Sequence, residues 1–193
     1  MLLSLCRGAI IALPLVVAAC ADRPPLRTVT DFDAERYLGT WHEIAAIPTW
    51  FQRQCARATT AVYSPVAEPG QIGVINSCER ADGTVDTARG RARFTAPPAE
   101  GRLEVTFLQL GGYWIWPISG AYQVIALDPG YGWSLVGHPS RDYAWILARE
   151  PQLDDGTLRM LRDRLAVAGY DPCRLILTAD ADPRRGQSIC ELG

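Results

Sequence analysis

The sequence predicts an all-β domain, an antiparallel sandwich or barrel, followed by a single helix. Short strand-like runs recur at regular spacing along most of the chain, with turn residues between them. In the clearest run, apolar Leu103, Val105 and Phe107 alternate with polar residues, as in a half-buried strand. The apolar residues of the segment 158–168 recur instead at helical spacing.

Length and composition favour one globular domain. The chain has 193 residues, of which 48% are hydrophobic and 21% are charged. Its formal net charge of −2 gives no sign of a surface for polyanions. Nucleic acid is therefore not a predicted partner.

Residues 1–19 are interpreted as an export signal. Arg7 is the only charge, and the apolar run Ala9–Ala18 is shorter than the roughly 20 residues that span a bilayer. A short cationic start, a short apolar run and small residues at its end are typical of a secretory signal peptide. Val17-Ala18-Ala19 leads directly into Cys20, an ending that resembles the bacterial lipobox.

That resemblance implies cleavage before Cys20 and attachment of acyl chains such as palmitate to this residue. An ordinary signal peptide followed by a chance cysteine is the alternative. Ala21, rather than Asp, follows the cysteine, which favours the outer over the inner membrane of a bacterial envelope. Residues 20–30 are then expected to form a lipid-anchored tether, and residues 31–193 the barrel with a C-terminal tail.

The predicted elements follow in order. A short helical turn is predicted over Asp31–Tyr37. Turn residues such as those of Asp82-Gly83 and Asp128-Pro129-Gly130 separate the strands. The eight strands are predicted at Gly39–Ile47, 56–64, 71–78, 84–95, 102–109, 119–127, 132–138 and 143–149.

A helix and a ninth strand complete the domain. Leu158, Leu161 and Leu165 give the helix an apolar stripe that is expected to pack on the outside of the sheet. Asp154 or Asp155 is expected to cap its start, and Gly169 its end. The ninth strand is predicted at Arg174–Thr178.

The cysteine count indicates two disulfides. Cys6 lies in the signal and Cys20 at the predicted lipid site, so four cysteines remain, with three possible connectivities. In a hairpin that pairs Val62 with Gln71, Cys55 lies opposite Cys78, at a separation that a disulfide can bridge.

The second pair would then be Cys173–Cys190, which ties the C-terminal tail to the last strand. No Cys-x-x-Cys or Cys/His zinc spacing occurs. No metal site and no cofactor are predicted.

Three motifs narrow the choice among all-β folds. Gly39-x-Trp41 lies at the start of the first strand, Asp128-Pro129-Gly130-Tyr131 forms a turn, and Arg149 ends the eighth strand. These motifs, with eight strands, one helix and a short strand in that order, resemble the lipocalin family. The resemblance implies an eight-stranded up-and-down antiparallel β-barrel with one C-terminal helix and a short ninth strand.

The likeness covers about Asp31 to Thr178 and is closest to the bacterial outer-membrane lipocalins, with the apolipoprotein D-like branch as the nearest eukaryotic relatives. Cys55, Cys78 and the tail with Cys190 depart from the enterobacterial members.

The motif residues have a structural interpretation. Gly39 is expected to allow close approach of the backbone. The Trp41 ring is expected to plug one end of the barrel, and the Arg149 guanidinium to stack on the Trp41 ring. Asp128 and Tyr131 are expected to shape a turn at the same end.

The opposite end would then be an open mouth. Five aromatic residues belong to two of its loops, and such clusters mark binding or membrane contact; folding back onto the barrel wall is the alternative. They are Trp50, Phe51, Tyr113, Trp114 and Trp116.

A ligand is expected to lie inside the barrel. The predicted pocket is apolar with few charges, so it favours a ligand with a long apolar part inside and a charged head at the mouth. Arg53 and Arg141 are candidates to meet an anionic head, and a solvated surface position is the commoner explanation for each of them. The candidate lining residues are Tyr63, Phe107, Tyr122, Val124, Trp133 and Trp145. For each of them, a position in the core outside the barrel is the alternative.

For bacterial lipocalins the resemblance implies fatty acids or lysophospholipids as ligands, and a role in lipid storage, transport or envelope repair. A membrane-anchored monomer or homodimer is expected.

Three other functions compete with that of a carrier. The chain has two histidines, His42 and His138, and lacks a Gly-x-Ser-x-Gly elbow, so no enzyme is predicted. A site at His138 with Ser140 and Asp142 stays conceivable, as does lipocalin-type isomerisation or haem binding through His138. A structural or protein-binding envelope module is the third alternative, favoured if the lumen is filled.

Overall fold

A closed antiparallel barrel forms the body of the domain in a computed structural model that describes residues 23–192. The predicted signal peptide and Cys20 lie outside the described residues. The barrel closes because β1 pairs with β2 on one side and with β10 on the other. Its strands are β1 (Gly39–Ala46), β2 (Arg57–Pro65), β3 (Gln71–Glu79), β4 (Val85–Phe94), β5 (Arg102–Thr106), β8 (Gly120–Leu127), β9 (Trp133–Gly137) and β10 (Ala144–Ala148).

The remaining helices and strands are not part of the eight-stranded barrel wall. Helix α1 (Ala34–Tyr37) precedes β1, and helix α2 (Asp155–Val167) follows β10. Strand β11 (Ile176–Leu177) adds to β1, and a small hairpin, β6 (Gln109–Leu110) with β7 (Tyr113–Trp114), lies in the loop between β5 and β8. The predicted eight-stranded barrel, helix and ninth strand are confirmed.

Two strand predictions need correction. The fifth strand ends at Thr106, because the chain then leaves the wall to form the β6–β7 hairpin. The β2–β3 register is shifted by four residues from the predicted one, because Val62 lies opposite Ile75 and not opposite Gln71. The strands therefore continue to Pro65 and Gln71 before a shorter turn.

Both disulfides are present despite that shift. Cys55 and Cys78 have Cα atoms 5.4 Å apart, just beyond a register irregularity between Arg57 and Thr60. Cys173 and Cys190 have Cα atoms 5.1 Å apart and join the segment after α2 to the C-terminal tail.

Helix α2 begins and ends as the capping residues predict. The Asp154 carboxylate accepts a hydrogen bond from the N–H of Thr157 at 2.9 Å. Gly169 follows the helix with φ of +84°, a left-handed conformation that favours glycine. Leu158, Leu161 and Leu165 are fully buried against the barrel.

Two apolar cores result. The outer core lies between the barrel wall, α2 and the C-terminal segment, and includes Ile44, Leu135, Ile146 and Leu177. The barrel core lies in the lumen and includes Trp41, Tyr63 and Val124. Alternation along each strand divides side chains between the two cores.

The C-terminal segment covers a gap in the wall. Strand β1 pairs with β2 only over Gly39–His42, and beyond this point the two strands separate. The N–H groups of Thr178 and Ala179 both donate to the Ile44 carbonyl, and the Asp180 carboxylate accepts from the N–H of Ala58 at 2.7 Å. The barrel is thus completed here by residues after α2.

The segment Arg23–Phe32, here called the N-terminal strap, is packed along the barrel. It begins at the open end, where Arg141 donates to the Pro24 carbonyl at 2.6 Å. Farther along, the N–H of Val29 bonds the carbonyl of Val124, and Leu26 is buried. These contacts hold residues 23–30, the described part of the predicted tether, to the barrel wall.

The structure of residues 23–192 contains no helix that is long and apolar enough to cross a membrane. Within the same residues, no three His, Cys, Asp or Glu side chains come together as a set of metal ligands.

Candidate functional site

The closed end of the barrel is sealed by Trp41 and Arg149. Trp41 is fully buried, and its indole N–H donates to the Tyr37 carbonyl at 2.8 Å. The Arg149 guanidinium lies 3.9 Å from the centre of the Trp41 ring, a cation–π distance. The same guanidinium donates to the carbonyls of Arg36, Leu38 and Thr40.

Gly39 makes this arrangement possible. Its φ is +98°, and a Cβ at this position would lie 3.2 Å from a guanidinium nitrogen of Arg149. Glycine therefore supplies both the backbone conformation and the space.

The Asp128 turn is joined to the same end. The Asp128 carboxylate accepts from the N–H groups of Gly130 and Gly132, both at 3.0 Å. The Tyr131 hydroxyl accepts from the N–H of Asp33 at 2.7 Å, and Arg36 lies over its ring. All three motifs therefore contribute to one closed end.

Above this plug, four side-chain hydroxyls meet in the lumen. Tyr37 contacts Tyr122 at 2.7 Å and Ser134 at 2.9 Å, and Tyr122 contacts Tyr63 at 2.9 Å. We call these residues the hydroxyl cluster. Burial raises the pKa of Tyr37 to about 12, and burial also raises the pKa of Tyr63 and of Tyr122.

The hydroxyl cluster modifies the prediction of an apolar pocket at the floor of the lumen. Its phenols stay protonated at neutral pH, so they remain hydrogen-bond donors as well as acceptors. The floor of the lumen is therefore polar but uncharged.

The predicted lining residues divide between the two cores. Tyr63, Tyr122, Val124 and Trp145 belong to the barrel core. Trp133 packs instead against the outer core, because it is one residue out of phase with inward-facing Ser134. Its assignment to the lining is therefore wrong.

Phe107 lies at the mouth rather than deep in the lumen. It follows the end of β5 and is 46% exposed. Its ring covers Gly90, where an added Cβ would come within 2.8 Å of it. Phe107 therefore borders the opening of the pocket.

A stack of rings leads from the mouth into the lumen. Trp145 and Tyr143 are nearly parallel, at 6.2 Å between ring centres, and Phe51 lies 6.2 Å from Tyr143. Trp50 meets Phe51 edge to face and is 70% exposed. Tyr143, which no motif marked, shares the inward face of Trp145 by strand alternation and joins the two parts.

The other predicted mouth residues do not all face the opening. Tyr113 is exposed at the tip of the β6–β7 hairpin. Trp114 and Trp116 turn to the outer surface of β4, where Arg91 and Arg93 lie over their rings. For these two tryptophans the mouth assignment is wrong, because cation–π contacts hold them on the wall.

Arg141 is also not a mouth residue for an anionic head. It is buried, and its guanidinium donates to the carbonyls of Pro24, Pro139 and Ala168. Arg53, in contrast, is exposed in the β1–β2 loop.

A buried carboxyl lies beneath the β1–β2 loop. The side-chain amide of Gln52 donates an N–H to the Glu43 carboxyl at 2.8 Å. The oxygen of the same side-chain amide accepts from the Thr49 hydroxyl at 3.0 Å and from the Trp145 indole N–H at 3.4 Å. Burial raises the pKa of Glu43. Glu43 also borders a hollow of about 260 Å³ at the β1–β2 gap, together with Thr178.

The replacement Glu43→Gln is expected to stabilise the fold increasingly as pH rises. The raised pKa means that the Glu43 carboxyl stabilises the fold fully below its unfolded pKa of about 4.3, and that this contribution is lost as pH rises through the folded pKa. Glutamine stays neutral and its amide oxygen accepts the same bond from Gln52. Thermal unfolding between pH 4 and 8 should show a difference in Tm near zero at the acid end that grows toward pH 8; a constant difference would contradict this account.

His138 does not have the surroundings of a catalytic triad. Its Nδ1 contacts the Ser140 hydroxyl at 2.9 Å and accepts from the Ser140 N–H at 3.1 Å. The Asp142 carboxylate instead lies 3.8 Å from Arg174. Burial lowers the pKa of His138, so its ring is neutral at pH 7.

Comparison with known proteins gives a consistent family. Residues 32–180 match the model of the lipocalin-like domain. The chain is 40% identical over 168 residues to the outer membrane lipoprotein Blc of Escherichia coli K12, which covers 84% of this chain and 88% of that protein. It is 35% identical over 161 residues to apolipoprotein D of Macaca fascicularis, with 80% and 79% covered.

Solved structures agree on the fold. Insecticyanin from the tobacco hornworm Manduca sexta superposes with a TM-score of 0.63 over 86% of this chain and 89% of that chain, at 23% identity. Apocrustacyanin C2 superposes with a TM-score of 0.59 at 12% identity, over 81% of this chain and 91% of that chain.

Proposed function

This chain belongs to the lipocalin-like family, and from that membership we propose that it is a binding protein that holds a small hydrophobic ligand in its barrel. The observation that carries the proposal is the ring stack Phe51, Tyr143 and Trp145, which leads from an open mouth to the barrel core. The site offers apolar contact without a set of groups arranged for chemistry, so the proposed role is binding and not catalysis.

The ligand we propose is a fatty acid or a lysophospholipid. An eight-stranded barrel has room for one small ligand, and a single alkyl chain is a slender apolar ligand that can contact Phe107 at the mouth and Trp145 in the barrel core. The hydroxyl cluster limits how deep the chain reaches, because its side chains fill the floor of the lumen and are hydrogen-bonded to one another. Arg53 at the mouth supplies a positive charge for an anionic head.

We further propose that acylated Cys20 anchors the protein in the outer membrane of a bacterial envelope. The support is the Val17-Ala18-Ala19-Cys20 sequence and the relatives that are named outer membrane lipoproteins. A tethered lipid carrier would serve lipid storage, transport or envelope maintenance.

The direct test is a titration of the mature chain carrying Cys20→Ser, exported and kept oxidised. Fatty acids and lysophospholipids should quench tryptophan fluorescence saturably, with one ligand per barrel by native mass spectrometry. Trp145→Leu should weaken binding about tenfold, because lost apolar contact of about 1.5 kcal/mol corresponds to that factor. Trp133→Leu is the matched control, since Trp133 lies in the outer core and its loss should leave affinity unchanged.

Equal effects of the two tryptophan replacements would contradict a site in the lumen. Absence of binding for every chain length, with the protein folded, would contradict the carrier function. It would favour the second candidate, a structural or protein-binding envelope module, which the occupied floor of the lumen supports.

A further inference from the structure

The exposed apolar side chains of this protein lie at one end. Among residues 23–192, nine large apolar side chains are strongly exposed, and none lies at the closed end. Soluble surfaces rarely gather such side chains in one place without a partner. Six of them, here called the apolar rim, are Trp50, Phe51, Phe107, Leu108, Leu110 and Tyr113.

The apolar rim belongs to two loops on opposite sides of the mouth. The β5–β8 loop, residues 107–119, contains no charged residue, and the β1–β2 loop, residues 47–56, has only Arg53. Tyr113 and Leu110 are 79% and 73% exposed at the tip of the β6–β7 hairpin. The apolar rim is therefore divided between two loops that lie on different sides of the barrel mouth.

The strap brings the proposed anchor to this same end. Arg23 donates to the Ser140 carbonyl and Arg141 to the Pro24 carbonyl, both in the loop between β9 and β10 at the mouth. Cys20 precedes Arg23 by three residues, and three residues span at most about 11 Å. An acyl group on Cys20 therefore enters a bilayer within about 11 Å of the start of the strap.

We propose that the apolar rim docks into the surface of the phospholipid bilayer that holds the anchor, so that the mouth faces the membrane. The inference rests on the proposed lipid attachment for its geometry, whereas the exposure of the rim is independent of it. Trp and Tyr side chains with aliphatic neighbours suit the headgroup region. Arg53 beside the rim suits anionic headgroups.

A bilayer fits the rim better than a protein partner does. The two loops of the apolar rim lie on different sides of the mouth, and a bilayer surface can deform around each loop separately. The anchor also holds that surface close to the rim at all times. A lipid ligand would then pass between bilayer and barrel without crossing bulk water.

The test uses vesicles of phosphatidylethanolamine and phosphatidylglycerol, without added ligand. The acylated full-length lipoprotein is reconstituted, and the emission of Trp50 is isolated as the difference between wild type and Trp50→Phe. Docking predicts quenching of Trp50 by lipids brominated near the headgroups and protection from aqueous acrylamide. For the mature chain carrying Cys20→Ser, adding Trp50→Gln and Leu110→Gln should weaken vesicle partitioning at least tenfold, equivalent to about 1.4 kcal/mol.

The matched control moves one tryptophan from the rim to the closed end. In Trp50→Phe with Ala67→Trp, the rim keeps an aromatic ring and the new tryptophan lies in the β2–β3 turn, where docking predicts no quenching by brominated lipid. Equal acrylamide quenching of Trp50 with and without vesicles would overturn the proposal. So would a rim that binds an envelope protein but not vesicles. Ligand titration without vesicles is a separate measurement, so failure of the carrier function is distinguishable from failure of docking.

Discussion

Replacement of Trp41 by alanine is expected to lower the free energy of unfolding by about 3–5 kcal/mol. The ring is fully buried in the barrel core and supports the Arg149 guanidinium above it. Its removal opens a cavity at the closed end and leaves the Tyr37 carbonyl without its indole donor. For a domain of this size, each kcal/mol corresponds to about 2–4 °C in Tm, so thermal unfolding should show a fall of about 10 °C or more.

The control is Trp50→Ala, which removes an equally large ring from an exposed position. Its Tm should change by no more than a few degrees. A double replacement of Trp41 and Arg149 should cost less than the sum of the single ones, because the two side chains are in contact. Additive losses would mean that the cation–π contact contributes nothing to stability.

Removal of the Cys55–Cys78 disulfide, as Cys55→Ser with Cys78→Ser, is expected to cost about 3 kcal/mol. The bond closes a loop with a sequence separation of 23 residues. It also fixes the end of the β1–β2 loop to β3, so its loss should speed amide hydrogen exchange around Trp50 and Gln52. Chemical denaturation and hydrogen exchange measure the two effects on one sample.

The companion variant is Cys173→Ser with Cys190→Ser, whose loop is similar at 17 residues. It should lower stability by a comparable amount while leaving exchange in the β1–β2 loop unchanged. Faster exchange in that loop for both variants would show that the effect is global and not local.

The closed end and the helix were predictable because their signals are local. Gly39-x-Trp41 and Arg149 each lie at a strand end, and the strand order then brings them together. Asp154 and Gly169 flank an apolar stripe of helical period, so the sequence predicts both ends of α2 to within about two residues.

The β2–β3 register was not predictable in the same way. It depends on how tightly the chain turns between Pro65 and Gln71, and several turns suit that sequence. The prediction that Cys55 faces Cys78 did not depend on the exact register, because an irregularity near Arg57 restores their proximity.

The mouth was the least predictable region. Loop membership places Trp114 and Trp116 near the opening, but their direction depends on Arg91 and Arg93 of a neighbouring strand. Arg141 is a candidate contact for an anionic head or a solvated surface residue by its sequence position, and in the structure it instead binds the strap. The orientation of these side chains depends on partners that are distant in sequence, so a local sequence pattern cannot predict it.

The direction of the strap also determines how the protein resists mechanical force. A pull on acylated Cys20, the proposed anchor, directed away from the open end would act nearly parallel to the segment from Arg23 to Phe32. The hydrogen bonds at Pro24, Val29 and Phe32 then share the tension in shear and do not peel apart one by one. When a membrane is drawn away from the barrel, the attachment is therefore expected to withstand more force than a strap pulled sideways from the wall.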